Sequence, residues 1–227
     1  AWELGITWVV LPEFDAMMET GQNNPHHCYT VGEHTLKALE SVRADRVLRL
    51  AVLFHDMGKP EKHSTDEMGI DHFYGHQKAS EEIARRILRR LRFDNDTIAA
   101  VTKLVLWHEC PWECTPCSVR KALNKTGAEL FPMLLEIRHA DLMAQSTYKR
   151  EEKLQKLLES RRLYEEIMEK QECISLKTLA VSGKDLIDAG MKPGKELGKT
   201  LDLLLHLVLE EPEKNTKEYL LSKIKNG

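Results

Sequence analysis

Leu53-Phe54-His55-Asp56-Met57-Gly58-Lys59-Pro60 is the stretch on which the reading of this chain turns. Leu50, Leu53 and Phe54 stand at helical spacing and run into a histidine and a carboxylate side by side. Gly58 and Pro60 follow, a glycine-then-proline ending typical of a helix C-terminus. The pattern predicts a helix from about Asp45 to Met57. Where a helix ends, a neighbouring imidazole and carboxylate can reach the same cation unobstructed. A neutral imidazole nitrogen with a carboxylate oxygen suits Mn, Fe, Co, Ni or Zn better than Mg, which prefers oxygen and water.

Outward from this point the periodicity is helical, and strand-like alternation is absent apart from an ambiguous run, Thr7 to Leu11. Thr30 can cap a helix reaching about Arg43, and Glu61 to Gly75 reads as a polar loop. A third helix spans about His76 to Leu91, with Ala79, Ile83, Ile87 and Leu91 on one face. Asp94 or Asn95 caps a fourth, whose stripe is Ile98, Val101, Val105 and then His108. After a turn over Pro111 to Pro116, a short helix closed by Gly127 precedes one bearing Leu130, Leu134, Ile137 and Asp141. Tyr148 to Gln171 is densely charged and reads as a long arm helix. Ser182-Gly183-Lys184-Asp185 forms a capping box, Pro193 opens a further helix, and Leu220, Leu221 and Ile224 belong to a last short one.

Two more residues interrupt apolar stripes as ligands do. His34 stands among Val31, Leu36 and Leu39, and Asp141 shares the buried face of Leu134 and Ile137. An unpaired carboxylate there costs several kcal/mol, so Asp141 needs either a cation or Arg138, three residues before it on the same helix. With the doublet, His34, His55, Asp56 and Asp141 make the expected metal set. His76 and His108, at helix ends, form a second tier that either ligates a second ion or holds a phosphate oxygen. Each is otherwise a satisfied core histidine. Lys59 is the expected phosphate cation, against the alternative of an exposed lysine after a helix.

The order His34, His55-Asp56, Asp141 resembles the HD superfamily of metal-dependent phosphohydrolases. Several strings are more specific: Leu53 to Pro60, His72-Phe73-Tyr74-Gly75-His76, Leu88 to Phe93, Arg138-His139-Ala140-Asp141-Leu142 and Ser182 to Ile187. Together they resemble the C-terminal HD region of bacterial CCA-adding tRNA nucleotidyltransferases, from about Pro25 to the end. The resemblance implies an all-α HD-domain orthogonal bundle with a helical C-terminal appendage. It also implies phosphatase and 2′,3′-cyclic phosphodiesterase chemistry on nucleotides or RNA 3′ ends, and a body that contacts tRNA. The glycine-serine and paired-aspartate motif of that family's nucleotide-adding head has no counterpart here, so nucleotide addition by this chain is not implied. A tRNA-binding body with a vestigial site and a nucleotide triphosphohydrolase are the rival readings.

On this reading residues 1–24 are a lead-in left from a removed upstream domain, 25–147 the metal-binding domain, and 148–227 the arm and C-terminal helical subdomain. The mechanism expected of the set is attack of a cation-acidified water on phosphorus. Asp56 orients that water, while Lys59, His76 and His108 stabilise the transition state or protonate the leaving oxygen.

Bulk properties fit a soluble globular protein. The 227 residues suffice for a sizeable core, 42% hydrophobic and 30% charged residues argue against disorder, and a net charge of -3 advertises no nucleic-acid surface. No apolar run approaches the ~18 residues of a membrane span, and no secretory signal opens the chain. Five cysteines without framework spacing fit a reducing cytoplasm. Cys110, Cys114 and Cys117 beside His108 mimic a zinc cluster but lack a matching second half. Arg85, Arg86, Arg89, Arg90 and Arg92 read as a solvated face paired with Glu81 and Glu82 rather than an RNA patch. His26 and His27 are expected near the mouth of the site.

Overall fold

The computed structural model describes residues 1–26 and 28–225, so the expectation for His27 lies outside the described residues. The described chain is all-α apart from one two-residue hairpin. It divides into two compact units, residues 1–111 with 129–158, and residues 112–128 with 159–227.

The first unit begins with α1 (Ile6–Val10), α2 (Pro12–Glu19), α3 (Val31–Glu40), α4 (Arg46–Phe54) and the single turn α5 (Lys59–Lys62). The ambiguous Thr7 to Leu11 run is therefore helical as far as Val10, with Leu11 as the C-cap. The helix predicted to Met57 stops at Phe54, with His55 as its C-cap, and Gly58 and Pro60 begin α5 instead of closing α4. Proline is at home there, since the first helical turn has no use for its missing N–H. The expected polar loop contains β1 (Ser64–Thr65) paired antiparallel with β2 (Asp71–His72), Ser64 opposite His72. Strands this short carry no periodicity to read.

Next come α6 (His76–Arg90) and α7 (Asn95–Trp107), then α8 (Pro116–Thr126) in the second unit, and α9 (Phe131–Ala144) back in the first. Local chemistry sets these starts. Thr30 and Glu33 form a reciprocal capping box on α3, Asp45 accepts from the Leu48 N–H, and Asp94 accepts from the Thr97 N–H. Inside, α6 packs on α7, α3 on α9, and α4 on α7. Val31, Ala38, Leu48, Val52, Ile83, Ile87, Val101, Val105, Leu134 and Ile137 are buried at those contacts.

One glycine governs how the turn after α4 meets α6. A Cβ on Gly58 would lie 2.5 Å from the Ser80 nitrogen and 2.7 Å from the His76 oxygen. The Gly58 N–H instead donates to Ser80 Oγ at 2.8 Å. Only a residue without a side chain lets α6 approach this closely, and the approach carries His76 towards Asp56.

α10 (Arg150–Glu169) contributes to the first unit up to Leu158 and to the second from Glu159. The second unit continues with α11 (Gly183–Asp188), α12 (Lys195–Glu210), a 3-10 turn at Pro212–Lys214 and α13 (Lys217–Lys225). The predicted capping box is present, Ser182 and Asp185 each accepting from the other's backbone. Leu179, Val181, Leu186, Leu204, Val208 and Leu220 form its core. Arg120 of α8 is buried and holds the end of α12: Nε donates to the Leu209 carbonyl at 2.7 Å and Nη2 to that of Glu210 at 3.2 Å, while Nη1 pairs with Glu172 at 2.7 Å. A cation on the carbonyls of a last turn satisfies acceptors that have no partner within the helix.

Candidate metal centre

The side chains of all seven candidate site residues meet in the first unit. His34 comes from α3, His55 from the C-cap of α4, Asp56 from the turn after it, and Lys59 from the start of α5. His76 is the first residue of α6, His108 is the C-cap of α7, and Asp141 lies in the last turn of α9. All are buried except Asp141, whose side chain is 19% exposed.

Asp56 is the centre. Its Oδ2 lies 2.7 Å from Lys59 Nζ, 3.2 Å from His55 Nε2 and 3.8 Å from His34 Nε2. Its Oδ1 lies 3.3 Å from His76 Nε2 and 3.8 Å from His108 Nε2. Asp141 Oδ1 is 2.8 Å from His34 Nε2 and 3.8 Å from His55 Nε2. Two groups close enough to grip a cation result, His34-His55-Asp56 and Asp56-His76-His108, with Asp56 in both.

The far sides of the four rings tell what the near sides are for. Nδ1 of His55 faces the Val52 carbonyl at 2.7 Å, Nδ1 of His108 that of Val105 at 2.7 Å, and Nδ1 of His76 that of Phe73 at 2.9 Å. Nδ1 of His34 is 3.4 Å from the Ala144 carbonyl. A carbonyl only accepts, so these contacts place a proton on each Nδ1 and leave Nε2 as the atom each ring offers to the cluster. That is how proteins prepare histidine for a metal. His55 Nε2 and both Asp56 oxygens are buried without a well-formed hydrogen bond, the Lys59 contact being an ion pair only. Buried polar atoms in that condition are costly unless something else satisfies them. The residues therefore fit a divalent cation.

Without a cation the cluster stores protons. Burial acts to lower the His55 pKa, but the charges of Asp56 and Asp141 outweigh it and push it up to about 10. Burial likewise opposes ionisation of Asp56, yet His55 and Lys59 hold it well below the usual carboxylate range, and the imidazoles of His34 and His55 do the same for Asp141. Burial and then the neighbouring His55 charge push His108 down to about 4. At His76 burial is outweighed by Asp56, which raises it.

Contacts bear on several open alternatives. Asp141 meets His34 and accepts from Gln145 Nε2 at 2.9 Å, while Arg138 donates to the carbonyls of His108 and Cys110. Lys59 is buried and donates to Gln22 Oε1 at 2.8 Å as well as meeting Asp56. Neither ligand group contains a cysteine, and no cysteine forms a disulfide among the described residues. Arg85 pairs with Glu81 as expected, but Arg86 and Arg90 pair with Glu13 of α2. His26 does line the cleft beside the cluster, together with Gln145 and Lys153, which sequence reasoning missed. Gln145 follows a carboxylate by one helical turn, a weak signal, and Lys153 is one lysine in a charged helix.

The tRNA nucleotidyltransferase domain 2 family matches residues 62–224, a stretch containing His76, His108 and Asp141 but starting after His55 and Asp56. The CC-adding tRNA nucleotidyltransferase of Thermus thermophilus is 32% identical over 219 residues, 91% of this chain and 47% of that protein. The A-adding enzyme of Deinococcus radiodurans is 31% identical over 144 residues, 61% of this chain and 33% of its own. A bifunctional uridylyltransferase/uridylyl-removing enzyme of Cereibacter sphaeroides is 28% identical over 130 residues, 47% of this chain and 13% of its own. The chain thus spans about half the length, or less, of these relatives.

Proposed function

This chain belongs to the tRNA nucleotidyltransferase domain 2 family, and on that premise we propose that it is the body of a tRNA-processing nucleotidyltransferase whose His/Asp cluster is an HD-type phosphohydrolase centre. The observation that carries the chemistry is the common orientation of the four histidines, each Nδ1 on a backbone carbonyl and each Nε2 towards Asp56 or Asp141. His34, His55, Asp56 and Asp141 would hold one divalent ion, and Asp56 with His76 and His108 would hold a second. Mn, Fe, Co, Ni or Zn suits these donors better than Mg.

Bound there, a divalent cation lowers the pKa of a water and offsets charge on phosphoryl oxygens. The protein does the rest. The water oxygen bonds to phosphorus, the bond to the leaving oxygen breaks, and the water's proton ends on that oxygen. Asp56, fixed by Lys59, orients the water, and Lys59 and the cleft exclude bulk solvent from the reacting phosphate. The substrates on this reading are nucleotide phosphoesters or RNA 3′ ends, 2′,3′-cyclic phosphodiesters foremost, with tRNA as the macromolecular partner. One relative's name couples uridylyl transfer to uridylyl removal, and removal of a nucleotidyl group breaks a bond to phosphorus.

A second reading, a tRNA-contacting body whose centre is chemically silent, is favoured by the relatives whose names record nucleotide addition alone. Elemental analysis of the purified chain, joined to assays of 2′,3′-cyclic AMP, p-nitrophenyl phosphate and ATP with each metal, separates them. Hydrolysis that disappears in Asp56→Ala supports the phosphohydrolase. A metal-loaded protein that cleaves none of the three leaves the silent body.

A further inference from the structure

Beside the cluster the first unit opens a cleft of about 550 Å³, lined among others by His26, Lys59, Tyr74, His76, Gln145 and Lys153. Its two lysines are held in different ways. Lys59 sits 2.7 Å from Asp56 Oδ2, so its charge is answered inside the protein. Lys153 donates to Gln145 Oε1 at 2.7 Å and to His26 Nδ1 at 3.2 Å. Neither acceptor is a carboxylate, and burial and the nearby Lys153 charge lower the His26 pKa. Among the described residues no carboxylate forms an ion pair with Lys153. Burial is the larger influence on Lys153, and Asp141, Glu109 and Glu152 act on it only through space. A cation fixed at a cleft wall without a direct ion pair is a place for an anion.

Its tether says where that anion lies. Gln145 accepts from Lys153 with its oxygen and donates with its nitrogen to Asp141 Oδ2 at 2.9 Å. Lys153 therefore stands one side chain removed from the cluster, within the reach of a phosphoester.

The cleft also has an aromatic wall. Tyr74 is 78% exposed, and its ring stacks on His72 with centroids 5.2 Å apart and planes 9° from parallel. The Tyr74 hydroxyl meets His72 Nδ1 at 3.2 Å, and His72 Nε2 meets Asp66 Oδ2 at 2.8 Å. An exposed ring braced in this way is a preformed surface for a nucleobase.

We propose that this cleft is a nucleotide subsite, in which Lys153 binds a phosphate oxygen and Tyr74 stacks the base. The assignment rests on the phosphohydrolase reading of the cluster and adds to it the residues that select the base and the phosphate. A substrate lacking either a base or a phosphate forfeits one of the two anchors.

The test is equilibrium binding of adenosine 3′-monophosphate and of inorganic phosphate to the full chain, to Lys153→Gln and to Tyr74→Ala. Metal content and p-nitrophenyl phosphate hydrolysis are measured on the same samples. Tyr74→Ala weakens the nucleotide about tenfold and leaves inorganic phosphate unchanged. Lys153→Gln weakens both about tenfold, and metal content stays as in the parent. Nucleotide binding that is undetectable in the parent, or equal in all three proteins, overturns the subsite even where the parent hydrolyses phosphoesters. Tyr74-dependent nucleotide binding in a parent that takes no metal and hydrolyses nothing overturns the phosphohydrolase and leaves the subsite standing.

Discussion

His76 Nε2 lies 3.3 Å from Asp56 Oδ1, the carboxylate oxygen that Lys59 and His55 leave to it, both of them approaching Oδ2 more closely. One carboxylate thus presents a separate oxygen to each half of the cluster. On the reading proposed above, Asp56 would serve both groups of donors, and divalent cations held there would offset charge on phosphoryl oxygens.

The first prediction follows for metal stoichiometry. The parent chain binds two ions, His76→Ala or His108→Ala binds one, and Asp56→Ala binds none. Elemental analysis after gel filtration checks this. Parent-like metal content in Asp56→Ala would remove the assignment.

Metal affinity depends on pH with a definite sign. The metal-free protein keeps a proton on His55, whose pKa stands near 10, and a cation must displace it. Affinity therefore rises with pH between 6 and 8, by about tenfold per unit for each proton released. Competition titration at three pH values reads the slope, and a flat profile contradicts it. The same shift bears on stability without metal. The raised pKa contributes stability that is fully present below the ordinary value of 6.5 and is lost as pH climbs through about 10. Chelated protein accordingly loses thermal stability progressively as pH rises from about 7 to about 10, and metal-loaded protein loses less.

Gly58 carries the next prediction. Gly58→Ala places a methyl group 2.5 Å from the Ser80 nitrogen, and α6 must retreat. Overpacking of this kind costs about 1–3 kcal/mol. The retreat also takes His76 away from Asp56, so the variant binds its second ion more weakly. Urea denaturation and metal titration measure the two effects. Ser80→Ala, which removes only the hydrogen bond to Gly58, costs about 1 kcal/mol and serves as the control.

Arg120 anchors the second unit. Arg120→Ala leaves the carbonyls of Leu209 and Glu210 and the carboxylate of Glu172 without this cation, a loss of about 3 kcal/mol or more. Arg120→Lys recovers only part, because an ammonium cannot serve three acceptors in the fork geometry of a guanidinium. Amide exchange in α12 and α13 reports the change. Exchange rates unaltered by Arg120→Ala would show that α12 closes by other means.

By itself the sequence determined the helical class, the starts of α3, α7 and α11, and the residues to watch at the centre. Those features arise from interactions within a few residues: apolar spacing, Thr30 with Glu33, Asp94 with Thr97, Ser182 with Asp185. The small hairpin and the break of α4 at His55 escaped, because two-residue strands have no period and a glycine-proline pair ends one helix as readily as it begins another. Tertiary structure alone decided that Asp141 meets His34, 107 residues away, and that Lys59 turns inward to Asp56. It alone brought Lys153 to the cleft wall and Arg120 to the end of α12. The physical reason is range. Caps and stripes are settled by neighbours along one helix, whereas the partner of a charge depends on how helices cross, and that is fixed by packing of side chains far apart in the chain.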